Sequence, residues 1–173
     1  MGGSSAKDQA REPAQPHAAP LKLEEFLPYR LYLVANLVSQ ALSRIYVDRY
    51  GIGVPEWRIL VTLGQFKVMT AKAIGAHSHM HKTKVSRAVS ALKQRKLIVR
   101  RENRADRREA LLSLTPAGRA IYHNLAPSAL EFAKRLLESI DPADRAAFER
   151  AVDRLTERSR TLSGATAATE NAK

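Results

Sequence analysis

Between Leu23 and Tyr50, apolar residues recur at Leu31, Val34, Leu37, Val38, Ala41, Leu42 and Ile45, the three- and four-residue steps of one helix face. Pro28 sets the regular start, and Gly51 and Gly53 end the helix. Pro55 suits the first position of a second helix, carried on Trp57, Ile59, Leu60 and Leu63 to about Phe66. Thr70 caps a short third helix over about 71–77. A fourth, about 82–95, has Val85, Ala88, Val89 and Leu92 on one face and Ser86, Arg87, Ser90, Lys93 and Gln94 on the other. The period then changes. Leu97-Ile98-Val99 reads as a strand, Arg101 to Arg108 as a polar turn, and Ala110 to Leu114 as the return strand. Thr115-Pro116 opens a fifth helix to about Ser139, which Pro127 should kink, and Asp141-Pro142 opens a last one to about Arg160. The expected order is three helices, a basic helix, a two-stranded hairpin and two long helices, a mostly α (α+β) chain.

The 173 residues suit one domain with tails, and 45% hydrophobic residues suffice for a core. Residues 1–20, with prolines at 13, 16 and 20, and residues 163–173, SGATAATENAK, read as disordered tails. The absence of cysteine excludes disulfides, cysteine-zinc fingers and thiol redox sensing. No apolar run reaches the roughly 20 residues that span a bilayer. The N-terminus lacks a secretory pattern, and Ala6 breaks the myristoylation motif. A cytoplasmic protein without a membrane partner is expected. The chain contains no G-x-S-x-G, Walker loop, G-x-G-x-x-G or H-E-x-x-H, so no enzyme is expected.

Charge narrows the partner. The net charge is +12, and residues 81–119 hold 12 Lys and Arg against 3 Asp and Glu, so that one segment carries +9 of it. A positive excess confined to one helix and one hairpin fits a polyanion, here double-stranded DNA. A helix fits the major groove, and Lys82, Thr83, Lys84, Ser86 and Arg87 occupy the turns that enter it in helix-turn-helix proteins. Arg104, Arg107 and Arg108 at the hairpin tip suit the negative potential of a narrow minor groove, and Asp106 can hold an arginine by a bidentate pair. A nonspecific architectural DNA-binding protein would share this charge.

The stretches SRAVSALKQRKLI and ADRREALLSLTPAG resemble the core signature of the MarR family of winged helix-turn-helix regulators, over about residues 24–160. The resemblance implies a winged helix-turn-helix with long N- and C-terminal dimerisation helices. Residues 21–50 would be the first dimerisation helix, 51–118 the DNA-binding domain and 119–162 the C-terminal dimerisation helices. It further implies a homodimer, a palindromic operator and repression relieved by a small-molecule effector. By position, Ser86 and Arg87 match the recognition-helix contacts, Arg108 the minor-groove arginine and Asp106 the acid that braces the wing. Two departures stand out. The family's Gly between recognition helix and strand is Lys96 here, which costs strain if φ must be positive, and the usual Asp or Ser N-cap is His81.

In this family the ligand pocket lies between the first, second and fifth helices. Arg30, Tyr32, Asn36, Trp57 and Arg58 are the candidates, and the sequence around them resembles the branch that controls aromatic-acid degradation. The implied effector is a small aromatic acid or its aryl-CoA thioester, with no resident cofactor. Alternatively, Trp57 and Tyr32 are core aromatics and the arginines surface charges. His77, His79 and His81 form the one metal-like cluster and leave a zinc-responsive regulator as a rival, because zinc accepts imidazole but needs three or four ligands. The alternative is a helix–helix turn in which His81 acts as a cap.

Overall fold

A computed structural model describes residues 20–103 and 108–170, with side chains through Gly164. Apart from Pro20, the N-terminal tail lies outside the described residues, as do Arg104, Asp106 and Arg107 of the hairpin tip. The elements run α1 Leu27–Tyr50, α2 Val54–Phe66, β1 Val68–Thr70, α3 Ala71–Ser78, α4 Lys82–Gln94, β2 Ile98–Glu102, β3 Ala110–Leu114, α5 Pro116–Leu137 and α6 Pro142–Glu170. This is the mostly helical chain that the sequence pattern predicts and the winged helix-turn-helix architecture that the family resemblance implies. Among the described residues no helix is long and apolar enough to cross a membrane.

The strands form one antiparallel sheet in the order β1-β3-β2. Ile98 faces Leu114 and Glu102 faces Ala110 in the hairpin, while Val68 pairs with Ser113. The three-residue β1 was not expected: it is too short to show the period-two alternation that marks a strand.

The chain divides into two compact units, the first ending at Val38 and the second starting at Ser39. In the first, α1 exposes Leu31, Val34 and Leu37. The second holds the core. Ile59, Leu60 and Leu63 of α2 join Ile74 of α3, Val85, Ala88 and Leu92 of α4, Leu112 and Leu114 of β3, and Leu125 of α5. Each fully buried aliphatic side chain contributes about 1.5–3 kcal/mol by leaving water. The C-terminal end of α1 belongs to this same core. Tyr46 is buried and stacks on Trp57 with ring centroids 5.1 Å apart, so residues 39–50 are built into the winged-helix unit rather than standing apart from it.

One expectation changes at the C-terminal side. The last helix does not end near Arg160; α6 runs to Glu170, so most of the expected 163–173 tail is helical. Ala165, Ala167 and Ala168 are strong helix formers, and no proline follows Pro142 to stop the helix. Helix α5 is continuous through Pro127.

Candidate nucleic-acid interface

Helix α4 is seated by a buried stripe flanked by the half-buried Val89 and Ala91, and presents its polar side chains to solvent. Val85, Ala88 and Leu92 are buried, whereas Lys82, Thr83, Lys84, Ser86, Arg87 and Ser90 are all exposed. The preceding α3 approaches closely. A Cβ on Gly75 would come within 3.1 Å of the Met80 carbonyl oxygen and 3.4 Å of Val85 Cγ2, so only glycine lets the two helices meet without adjustment.

The run His77-Ser78-His79-Met80-His81 makes the turn between them, and each member has a structural place. His77 sits edge-on to Phe66 with centroids 4.8 Å apart. The Ser78 hydroxyl donates to the Ile74 carbonyl at 2.6 Å. His79 takes the left-handed conformation at the end of α3, with φ 50°, and its amide donates to the Gly75 carbonyl. Met80 is buried. His81 is the N-cap of α4, where its Nδ1 accepts from the Thr83 amide at 3.4 Å, a long and weak bond. Among the described residues no three His, Cys, Asp or Glu side chains gather as metal ligands.

The C-terminal end of α4 is fastened on two sides. The Arg95 guanidinium donates to the carbonyl oxygens of Tyr50 and Gly51 (3.0 Å to the latter), gripping the end of α1, where the helix dipole favours a cation. Lys96 has φ 57°, the left-handed region that favours glycine, so the strain expected of a lysine at this position is present. Thr115 completes the junction. Its amide donates to Leu97 O at 3.0 Å, its hydroxyl donates to Lys96 O at 2.8 Å, and Thr115 Oγ1 accepts from the Gly118 amide at 3.0 Å as the N-cap of α5. The run Leu114-Thr115-Pro116-Ala117-Gly118 is thus a bolt that holds α4 and the hairpin against α5.

On the side of the hairpin facing α4 lies a cleft of about 780 Å3. It gathers Lys82, Ser86 and Arg108 from the predicted DNA-contact set with Lys72, Lys93 and Arg100, which that set omitted. Glu109 is the one carboxylate lining it, and its Oε1 stands 3.9 Å from Lys72 Nζ, a loose surface pair. Lys72 and Arg100 were hidden because the sequence alone does not bring the start of α3 or the outer strand beside α4. Thr83, Lys84 and Arg87 are exposed on α4 but do not line this cleft, which leaves them on the outer surface of the helix.

The expected ligand residues fall in both units. Trp57 is buried against Tyr46, as a core aromatic, and Arg58 is exposed beside it in sequence. Burial pushes the Tyr46 hydroxyl above its ordinary pKa, with the Arg58 charge partly opposing. Arg30, Tyr32 and Asn36 are exposed residues of the first unit.

Residues 50–109 match the MarR family. The MarR/EmrR family transcriptional regulator from Acinetobacter sp. ADP1 superposes with a TM-score of 0.73 at 25% identity, covering 82% of this chain and 99% of that one. BpsR of Bordetella bronchiseptica, whose DNA binding is regulated by 6-hydroxynicotinic acid, gives a TM-score of 0.72 at 21% identity over 80% of this chain and 98% of its own. The uncharacterized HTH-type transcriptional regulator YwoH of Bacillus subtilis is 26% identical over 114 residues, 66% of this chain and 82% of that protein.

Proposed function

We propose that this chain is a member of the MarR family of transcriptional regulators and acts as a homodimeric, ligand-responsive repressor, a reading supported by the match of residues 50–109 and by the superposed structures. It binds a palindromic operator and leaves it when a small aromatic acid, or the CoA thioester of one, binds. The observation that carries the DNA reading is the pairing of α4, exposed from Lys82 to Arg87 except for the seated Val85, with a cleft whose rim bears Lys72, Lys93, Arg100 and Arg108. The first turns of α4 enter the major groove, where Ser86 and Arg87 reach base edges or phosphates. The wing, with Arg108, follows the adjacent backbone into the minor groove.

Dimerisation is supported by apolar side chains left in water. On α6, Phe148, Val152, Leu155 and Leu162 are 41–53% exposed and recur at three- and four-residue steps and their multiples, a seam that a second copy would cover. Leu31, Val34 and Leu37 form a like stripe on α1. Two recognition helices about 34 Å apart then read half-sites one turn of DNA apart. The aromatic-acid effector is supported by the aromatic acid that regulates BpsR. A ligand that prefers another helix spacing lowers operator affinity by its differential affinity for the two states.

Arg108→Ala and Arg87→Ala each test the reading in an operator titration. Each should weaken binding by about 1–3 kcal/mol. Loss at Arg87 that is uniform across sequences assigns it to phosphate; wild-type affinity in both variants would contradict the proposed interface. A thermal-shift screen of aromatic acids and their CoA esters should find the effector as the compound that raises the melting temperature and releases DNA.

A further inference from the structure

The other face of the wing sheet closes a second cleft, of about 650 Å3, against the C-terminal end of α2 and the start of α5. Strand alternation separates the two clefts. Val68, Ser113 and Val99 stand side by side across β1, β3 and β2 and line this one, whereas Arg100 and Leu112 line the cleft beside α4. The walls are apolar, with Leu63, Val68, Val99 and Leu114, and Tyr122 lies against α2. A Cβ on Gly64 would stand 2.6 Å from that ring, so glycine is required for the ring to take this place.

The charge is one-sided. Lys67, Arg101 and Arg119 line the cleft, and no Asp or Glu does. Among the described residues none of the three pairs with a carboxylate. Arg119 uses Nη1 on the Leu114 carbonyl at 2.8 Å, which fixes its guanidinium at the cleft edge. Lys67 ends α2 with φ 65° and ψ −54°, a backbone conformation that a non-glycine residue rarely takes. Three like charges around an apolar hollow repel one another, and an anion with an apolar body relieves that repulsion while drying the walls. Inorganic phosphate would do only the first.

We propose that this cleft binds a small organic anion, an aromatic or branched aliphatic carboxylate, with its apolar body on Val68, Val99 and Tyr122 and its carboxylate between Lys67, Arg101 and Arg119. Arginine offers a carboxylate two parallel hydrogen bonds, and the volume falls in the range of small-molecule sites, about 300–1,000 Å3. None of Arg30, Tyr32, Asn36, Trp57 or Arg58 lines it, so it is distinct from the pocket that the family resemblance implies. As the seat of the effector it rests on the ligand-responsive reading above; as a binding site it stands without that reading. An occupant would touch β2 and β3 from behind, and so bear on the wing.

The probe is 2-naphthoate, titrated calorimetrically into the full chain, with 2-naphthamide as its uncharged counterpart. Naphthoate should bind saturably and the amide at least tenfold more weakly. The double variant K67Q/R101Q, altered only at exposed side chains, should lose at least tenfold in naphthoate affinity, and Ser113→Leu, which fills the floor, should abolish binding. No saturable binding to wild type, equal binding of the amide, or binding unchanged in both variants would overturn the site. Operator release is read separately. Release by naphthoate that S113L removes establishes the cleft as an effector seat. Binding that S113L removes, without any effect on DNA, keeps the site and removes its regulatory role.

Discussion

Gly118→Ala should be among the most damaging single substitutions in this chain, although alanine is the better helix former. At an ordinary helical position the change stabilises by about 0.5–1 kcal/mol. At Gly118 the added Cβ would overlap the Leu97 carbonyl oxygen and stand 3.0 Å from its carbon, well inside the 3.5–4.0 Å of a favourable carbon contact. Leu97 cannot simply yield, because its carbonyl accepts the Thr115 amide at 3.0 Å and the Thr115 hydroxyl at 3.1 Å. Moving α5 away instead breaks both bonds at about 1 kcal/mol each and disturbs the Thr115 cap, worth about another 1 kcal/mol. With about 1–2 kcal/mol for residual crowding, the loss comes to about 4–5 kcal/mol. Urea denaturation of G118A beside Gly164→Ala measures it. Gly164 lies in α6, and a Cβ added there would meet nothing within 4 Å, so that variant should gain the ordinary fraction of a kcal/mol. If G118A matched wild type within about 0.5 kcal/mol, the bolted junction of α4, wing and α5 would be wrong.

Three further outcomes follow from the same geometry. Lys96→Gly should raise stability by about 0.5–1 kcal/mol, because a φ of 57° strains lysine more than ordering a glycine costs; a destabilised K96G, seen by the same denaturation, would contradict this. Arg95→Ala should cost about 1–2 kcal/mol of stability by freeing the Tyr50 and Gly51 carbonyls, and unchanged unfolding midpoints would show that the grip on α1 is idle. Burial raises the Tyr46 pKa, so in an ultraviolet titration compared with Tyr46→Phe, Tyr46 should ionise above the ordinary tyrosine value of 10.0. The unfolded chain then ionises first: stability should be flat below the ordinary value of 10.0 and fall as pH rises through and beyond it, a fall that Tyr46→Phe should reduce.

Long amphipathic elements and their caps are legible in the sequence because local chemistry decides them. Thr70, Thr115 and Asp141 cap the helices that begin just after them, and Val85, Ala88 and Leu92 are the buried face of α4. The positive φ at Lys96 and the capping by His81 are anticipated through the family resemblance, which has a glycine at the one position and an Asp or Ser cap at the other. What the sequence conceals is nonlocal. Strand β1 exists only because β3 pairs with it, and Lys72 and Arg100 join Arg108 only once α3, α4 and the hairpin have packed. Trp57 illustrates the same gap. Its sequence context suits a pocket wall or a core equally well, and only the stacked Tyr46, eleven positions earlier, decides for the core.

Selection of bound sites from a pool of random DNA duplexes, at near-physiological salt, tests most directly whether this chain reads sequence as a dimer. The expected result is enrichment of one inverted repeat with half-site centres about 10 bp apart, and loss of that preference when Ser86 and Arg87 are replaced together. Recovery of unenriched sequence, bound as tightly as any other duplex, would contradict it and leave the basic face of α4 as an electrostatic surface only.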